Sequence, residues 1–109
     1  MGSSRPLRLG IMGFGQTGRQ IFDLAADLPD VEVIAIADVG RADILHYLLQ
    51  SETTQAERYR LEGNFLWAGE QRSRLMSIDS PAEMPWDIFE VDVVIDATGS
   101  PEPALGLCR

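Results

Sequence analysis

The chain has 109 residues, the length of one domain, and its 45% hydrophobic and 24% charged residues exclude a disordered polymer. Nine Lys and Arg stand against 17 Asp and Glu, a net charge of −8 that repels phosphate backbones and anionic lipid surfaces, so neither nucleic acid nor membrane is an expected partner. The single cysteine, Cys108, excludes an internal disulfide framework and a CxxC metal site.

The N-terminus, MGSSRPLRLG, has no apolar signal region, and residues 1–6 read as a disordered or tag-like start. No apolar run approaches the ~20 residues that span a bilayer, so a cytoplasmic location is expected. Leu7 to Phe14, LRLGIMGF, suits a strand buried on both faces of a parallel sheet. An amphipathic helix is predicted from Thr17 to Leu28, with Ile21, Leu24, Ala25 and Leu28 on its apolar face, Phe22 beside them, and Pro29 as its stop. Val31 to Ala37, VEVIAIA, is a second strand, closed by Asp38. A second helix is predicted from Arg41 to Gln50, with Ala42, Leu45, Leu48 and Leu49 on one face, and a loop follows over Ser51 to Glu57. Arg58 to Ile78 reads as a hairpin around Gly69-Glu70. Two prolines make Ser80 to Trp86 irregular, and Val91 to Ala97 is a further buried strand ended by Thr98-Gly99-Ser100-Pro101. The order predicts an α/β fold: a partial Rossmann domain, doubly wound with a mostly parallel sheet and an inserted hairpin. A dinucleotide-binding domain over residues 7–100 would be incomplete, and residues 101–109 form a tail.

Gly13-Phe14-Gly15-Gln16-Thr17-Gly18 carries the chemistry. A Gly-x-Gly-x-x-Gly pattern alone is weak. Here it follows a predicted strand, opens a predicted helix, and has Asp38 at the end of the next strand, 20 residues after Gly18. Gly13 permits the tight turn, Gly15 lets a pyrophosphate approach the backbone, and Gly18 lets the helix pack against the strand. The helix N-terminus offers free N–H groups to phosphates. Asp38 would accept hydrogen bonds from the adenosine ribose and repel a 2′-phosphate, favouring NAD over NADP. The bland alternatives are a tight strand-to-helix turn for the glycines and a helix N-cap role for Asp38. Thr98 and Gly99 follow the strand expected across the switch point from the first, so they either line the nicotinamide-side ribose or diphosphate, or simply end a strand.

These features resemble the N-terminal part of the glyceraldehyde-3-phosphate dehydrogenase family over roughly Leu7 to Gly99. The resemblance rests on IMGFGQTGR, on Asp38, on the helix ILHYLLQSETT (Ile44 to Thr54), and on Pro85-Trp86 before VDVVIDATG. It implies an oxidoreductase of glycolysis that oxidises an aldehyde phosphate with NAD and inorganic phosphate through a cysteine thioester. Residue by residue, Gly13, Gly15, Gly18, Asp38, Thr98 and Gly99 match cofactor-binding positions. Phe14, Gln16 and Thr17 complete the candidate cofactor turn. The chain departs from the family pattern where Met12 replaces Asn, Gln16-Thr17 replace Arg-Ile, Asp79 replaces an adenine-flanking Arg, and Glu52-Thr53-Thr54 replace Asp-Thr-His. The family's nucleophile belongs to a Ser-Cys-Thr-Thr-Asn motif expected beyond this chain, and its histidine partner to a second domain. No catalytic residue is therefore assigned. Cys108 and His46 read as a free thiol and a packing or surface histidine, and Trp67 and Trp86 as packing groups.

The resemblance implies a fragment or truncated product that binds NAD and lacks activity alone. Its partners would be NAD, a second copy, or the remainder of the enzyme. An alternative is a stand-alone nucleotide-binding or interaction module paired with another chain, since the expected strand order 3-2-1-4-5-6 is filled only through strand four, leaving VDVVIDA as an open edge. A different Rossmann dehydrogenase family with a converged N-terminus is the third reading.

Overall fold

In a computed structural model, residues 5–78 and 80–98 are described. Strand β1 (Leu7–Met12) lies inside the sheet, and its last four residues are buried. That placement accounts for its continuous apolar run, since a strand covered on both faces has no polar side to show. It pairs in parallel with β2 (Val31–Ala37) on one side and β6 (Val93–Asp96) on the other. β2 then pairs in parallel with β5 (Gln71–Met76). β3 (Tyr59–Glu62) and β4 (Phe65–Ala68) extend that edge antiparallel, giving one six-stranded sheet of order β3-β4-β5-β2-β1-β6. The expected parallel arrangement is therefore present, and the sequence-predicted hairpin is a three-stranded meander. Its extra turn falls at Gly63, whose φ of 62° lies in the left-handed region that glycine tolerates.

Helix α1 (Gln16–Ala25) starts one residue before the expected Thr17 and ends before the expected Leu28. The residue preceding a proline is pushed out of helical geometry, and the last turn tightens, with Leu28 N–H donating to Ala25 O at 3.0 Å. The buried face also differs from the predicted one. Gly18, Arg19, Phe22 and Ala25 face inward, while Leu24 and Leu28 are 68% and 51% exposed. Phe22 wins that face because its ring meets Phe14 edge-on at 5.7 Å and Tyr59 at 5.5 Å, contacts that a leucine would not make. Helix α2 (Ala42–Glu52) buries Leu45 and Leu49, as its spacing predicts.

Both helices share one core cluster, built on Ile11, Phe14, Ile36 and Leu66. The opposite sheet face is covered by an irregular segment that brings Met84, Trp86, Phe89 and Val91 against Met12, Ala35, Ala37 and Val94. Trp86 fits because Gly10 of β1 has no side chain: a Cβ there would lie 2.5 Å from the indole ring. Among the described residues no helix is long and apolar enough to cross a membrane.

Candidate functional site

The C-terminal ends of four neighbouring strands, β5, β2, β1 and β6, are tied together. Gly13 N–H donates to Ala37 O at 2.7 Å, Ala97 N–H to Met12 O at 2.7 Å, and Asp38 N–H to Met76 O at 3.0 Å. Beyond these ends β1 turns into α1 through Gly13, at φ 96°, where a side chain would meet the backbone of Thr98 at 2.9 Å. Gly18 closes the turn from the other side. A Cβ on it would fall 2.2 Å from the carbonyl oxygen of Gly13, so only glycine lets α1 approach β1 this closely.

Gly15 is different. It caps α1 at φ −76°, and a Cβ there would meet nothing within 4 Å. Its missing side chain serves no packing need against the described residues, which leaves bare backbone facing a crevice. The first intrahelical bond of α1 runs from Arg19 N–H to Gly15 O at 2.9 Å, so the amides of Gln16, Thr17 and Gly18 precede the helical ladder. The side chains of Gln16 and Thr17 are exposed at that end. Phe14 contributes only backbone, because its ring is fully buried in the core.

Asp38 sits at the end of β2 and uses both carboxylate oxygens. Oδ2 accepts from Phe14 N–H at 2.7 Å and Oδ1 from Gly40 N–H at 2.7 Å. The N-cap of α2 is Arg41, so the helix-cap alternative for Asp38 is not the one adopted. Thr98 donates its hydroxyl to Asp96 Oδ1 at 2.7 Å and lines the same crevice as Gly13, Gly15 and Asp38. That crevice has a volume of about 160 Å³. A larger hollow of about 470 Å³ adjoins it across Asp38 and Val39, beside the start of α2. The smaller space is the chemically marked one, since of these two it is the one lined by the glycine turn. Gly99 and Asp79 lie outside the described residues, as do Cys108 and residues 1–4.

Three contributors escaped sequence reasoning. Val39 and Ile78 give the crevice apolar walls. Arg19, directly after the motif, is buried and forms a bidentate pair with Glu52 at 2.8 and 2.6 Å, while donating to Phe14 O at 3.0 Å. It therefore locks the glycine turn to the end of α2. A buried cation must find a partner, and its position inside the apolar face of α1 was the available signal.

The family model described as glyceraldehyde 3-phosphate dehydrogenase, NAD binding domain, matches residues 7–103. The chain is 33% identical over 96 residues to the cytosolic glyceraldehyde-3-phosphate dehydrogenase of Trypanosoma brucei brucei and to glyceraldehyde-3-phosphate dehydrogenase A of Escherichia coli strain K12. It is 31% identical over 96 residues to glyceraldehyde-3-phosphate dehydrogenase 1 of Bacillus subtilis strain 168. Each match covers 85% of this chain and 29% of the relative.

Proposed function

Because the chain belongs to the family of the glyceraldehyde 3-phosphate dehydrogenase NAD binding domain, we propose that its glycine turn, Asp38 and Thr98 form one dinucleotide site over residues 7–100. NAD is the cofactor that this family's description names. The observation that carries the residue assignment is the bare backbone at Gly15, where a Cβ would occupy open space at the N-terminus of α1, beside Asp38. A diphosphate requires such a cradle: close approach, unpaired amides and a positive helix end. Gly13 shapes the turn, Gly15 admits the pyrophosphate, and the amides of Gln16, Thr17 and Gly18 frame it, while the Phe14 amide holds Asp38 beside them. Asp38 accepts from the adenosine ribose with the lone pairs left after its two backbone bonds. Thr98, with Gly99 after it, flanks the ribose–nicotinamide side.

When bound, NAD supplies a hydride acceptor. The chain's own residues bind and orient it. For the whole protein we propose the family's activity, oxidation of an aldehyde phosphate, and the name of the trypanosomal relative supports a cytoplasmic location. The outer edge of β6 pairs with nothing among the described residues, which supports the docking of a further strand there.

Calorimetric titration with NAD and NADP tests the assignment. NAD is expected to bind more tightly, and Asp38→Asn, which keeps the side chain's size and one oxygen, is expected to narrow that preference about tenfold. Equal binding of both cofactors by the parent chain refutes the ribose role. So does an equal loss for both in the variant, which would leave Asp38 as a loop clamp alone.

A further inference from the structure

The cationic groups of the chain are all arginines, and every described one except Arg72 and Arg74 is ion-paired. These two lie two residues apart on β5 and face away from the helices. The intervening Ser73 points into the core, donating its hydroxyl to Val33 O at 2.6 Å. Opposite them in register are Trp67, across from Arg72, and Phe65, across from Arg74. The Arg72 guanidinium stands 4.3 Å from the Phe65 ring centroid, and that of Arg74 stands 5.5 Å from it. Arg74 Nε is buried with no hydrogen-bond partner. Two guanidiniums are thus held in place by rings rather than by anions, in a chain of net charge −8. Their orientation is fixed while most of their donors remain unused.

We propose that this face of β4 and β5 docks an extended acidic segment of a partner protein, with carboxylates at alternate positions. The backbones of residues two apart on a strand are separated by about 7 Å, as are alternate residues of an extended peptide. The Arg72 guanidinium reaches between the two rings, 4.3 Å from Phe65 and 5.9 Å from Trp67. Each guanidinium can then take one carboxylate side-on, and the aromatic rings supply the contact area typical of interface anchors. A nucleic acid fits less well. It carries a charge on every nucleotide, whereas only two cations without an ion-pair partner stand here among the described residues.

The test is fluorescence anisotropy at about 50 mM salt with a labelled six-residue peptide alternating Glu and Thr. A Gln-Thr peptide and a ten-nucleotide oligothymidylate serve as the other arms. The Glu-Thr peptide is expected to bind, and Arg72→Gln with Arg74→Gln to weaken it about tenfold. Arg72 is exposed, so Arg72→Gln alone keeps the fold and should weaken binding about threefold. Arg41→Gln removes an exposed cation already paired with Asp43 at 2.6 Å, away from this face, and should change affinity less than about twofold. Failure of the Glu-Thr peptide to bind overturns the proposal. Equal binding of the Gln-Thr peptide, tighter binding of the oligothymidylate, or full binding by the double variant overturns it as well.

Discussion

Gly15 and Gly18 stand three residues apart in the same motif, yet the structure assigns them opposite sensitivities. A methyl group on Gly18 would sit 2.2 Å from Gly13 O and 3.1 Å from its carbonyl carbon, with the Ile11 side chain 3.4 Å away. Relief requires α1 to retreat by about 1 Å from β1. Overpacking of this kind costs about 1–3 kcal/mol, or roughly 5–20 °C in melting temperature for a domain of this size. A methyl group on Gly15 meets nothing within 4 Å, and its φ of −76° is open to any residue. The weaker N-cap and the stiffer unfolded chain nearly cancel, leaving stability within about 1 kcal/mol of the parent. Binding inverts in selectivity, because the space that Gly15 leaves open is the space proposed for the pyrophosphate. A clash of about 1–3 kcal/mol there weakens NAD between about fivefold and 150-fold. Thermal unfolding by circular dichroism, paired with calorimetric NAD titration, separates the two effects. Gly15→Ala should melt like the parent and bind poorly, whereas Gly18→Ala should melt early. If Gly15→Ala binds NAD as the parent does, or melts as early as Gly18→Ala, the cradle reasoning is wrong.

Phe22→Ala empties a site between Phe14 and Tyr59 that is 3% exposed, and should cost about 3–5 kcal/mol in urea unfolding. A loss below about 1 kcal/mol would show that these rings do not anchor α1. The cluster around Asp23 makes stability depend on pH at both ends. Burial alone would raise the Asp23 carboxyl, but hydrogen bonds from Tyr59, Thr53 and Arg58 outweigh it and hold the group below its ordinary 3.8. Its contribution is therefore present above that value and lost as pH falls below it. Burial, and then the bond to Asp23, push Tyr59 above its ordinary 10.0, so its contribution is complete below pH 10.0 and lost as pH rises further. Denaturant unfolding across pH should show both declines, and Asp23→Asn should flatten the acid one. An acid limb unchanged by that substitution would remove Asp23 from the account.

Strand β2 has the bounds that its β-branched run predicts, Val31–Ala37, and the glycine turn lies where the motif places it. Both signals are local: a run of apolar residues buried on two faces, and glycines whose spacing answers to one turn. The inward face of α1 was not legible, because counting apolar residues treats Leu24 and Phe22 alike. Only the rings of Phe14 and Tyr59, brought from distant positions, decide between them. The turn at Gly63 was hidden for a related reason. β3 exposes Arg60 and Glu62 and buries Tyr59, so its alternation is too short and too polar to stand out as a strand. Within the candidate site, the acidic partner of the glycines was readable from its place at a strand end. Its bonds to Phe14 and Gly40 were not, since they depend on how two loops meet in space.

The doubly bonded carboxylate of Asp38 also bears on how readily this domain could change cofactor. Exchanging the acid for a neutral or basic residue is the obvious route toward a cofactor that carries a 2′-phosphate. Here a residue without a side-chain acceptor would orphan the amides of Phe14 and Gly40 at once, and even Asn would leave one of them without its acceptor, loosening the glycine turn or the β2–α2 loop. A viable switch would need a second substitution that supplies new acceptors for those amides. The proposed preference would thus be guarded by the architecture of the loops as well as by charge, and single-residue drift away from it would meet a fold penalty before it met a functional reward.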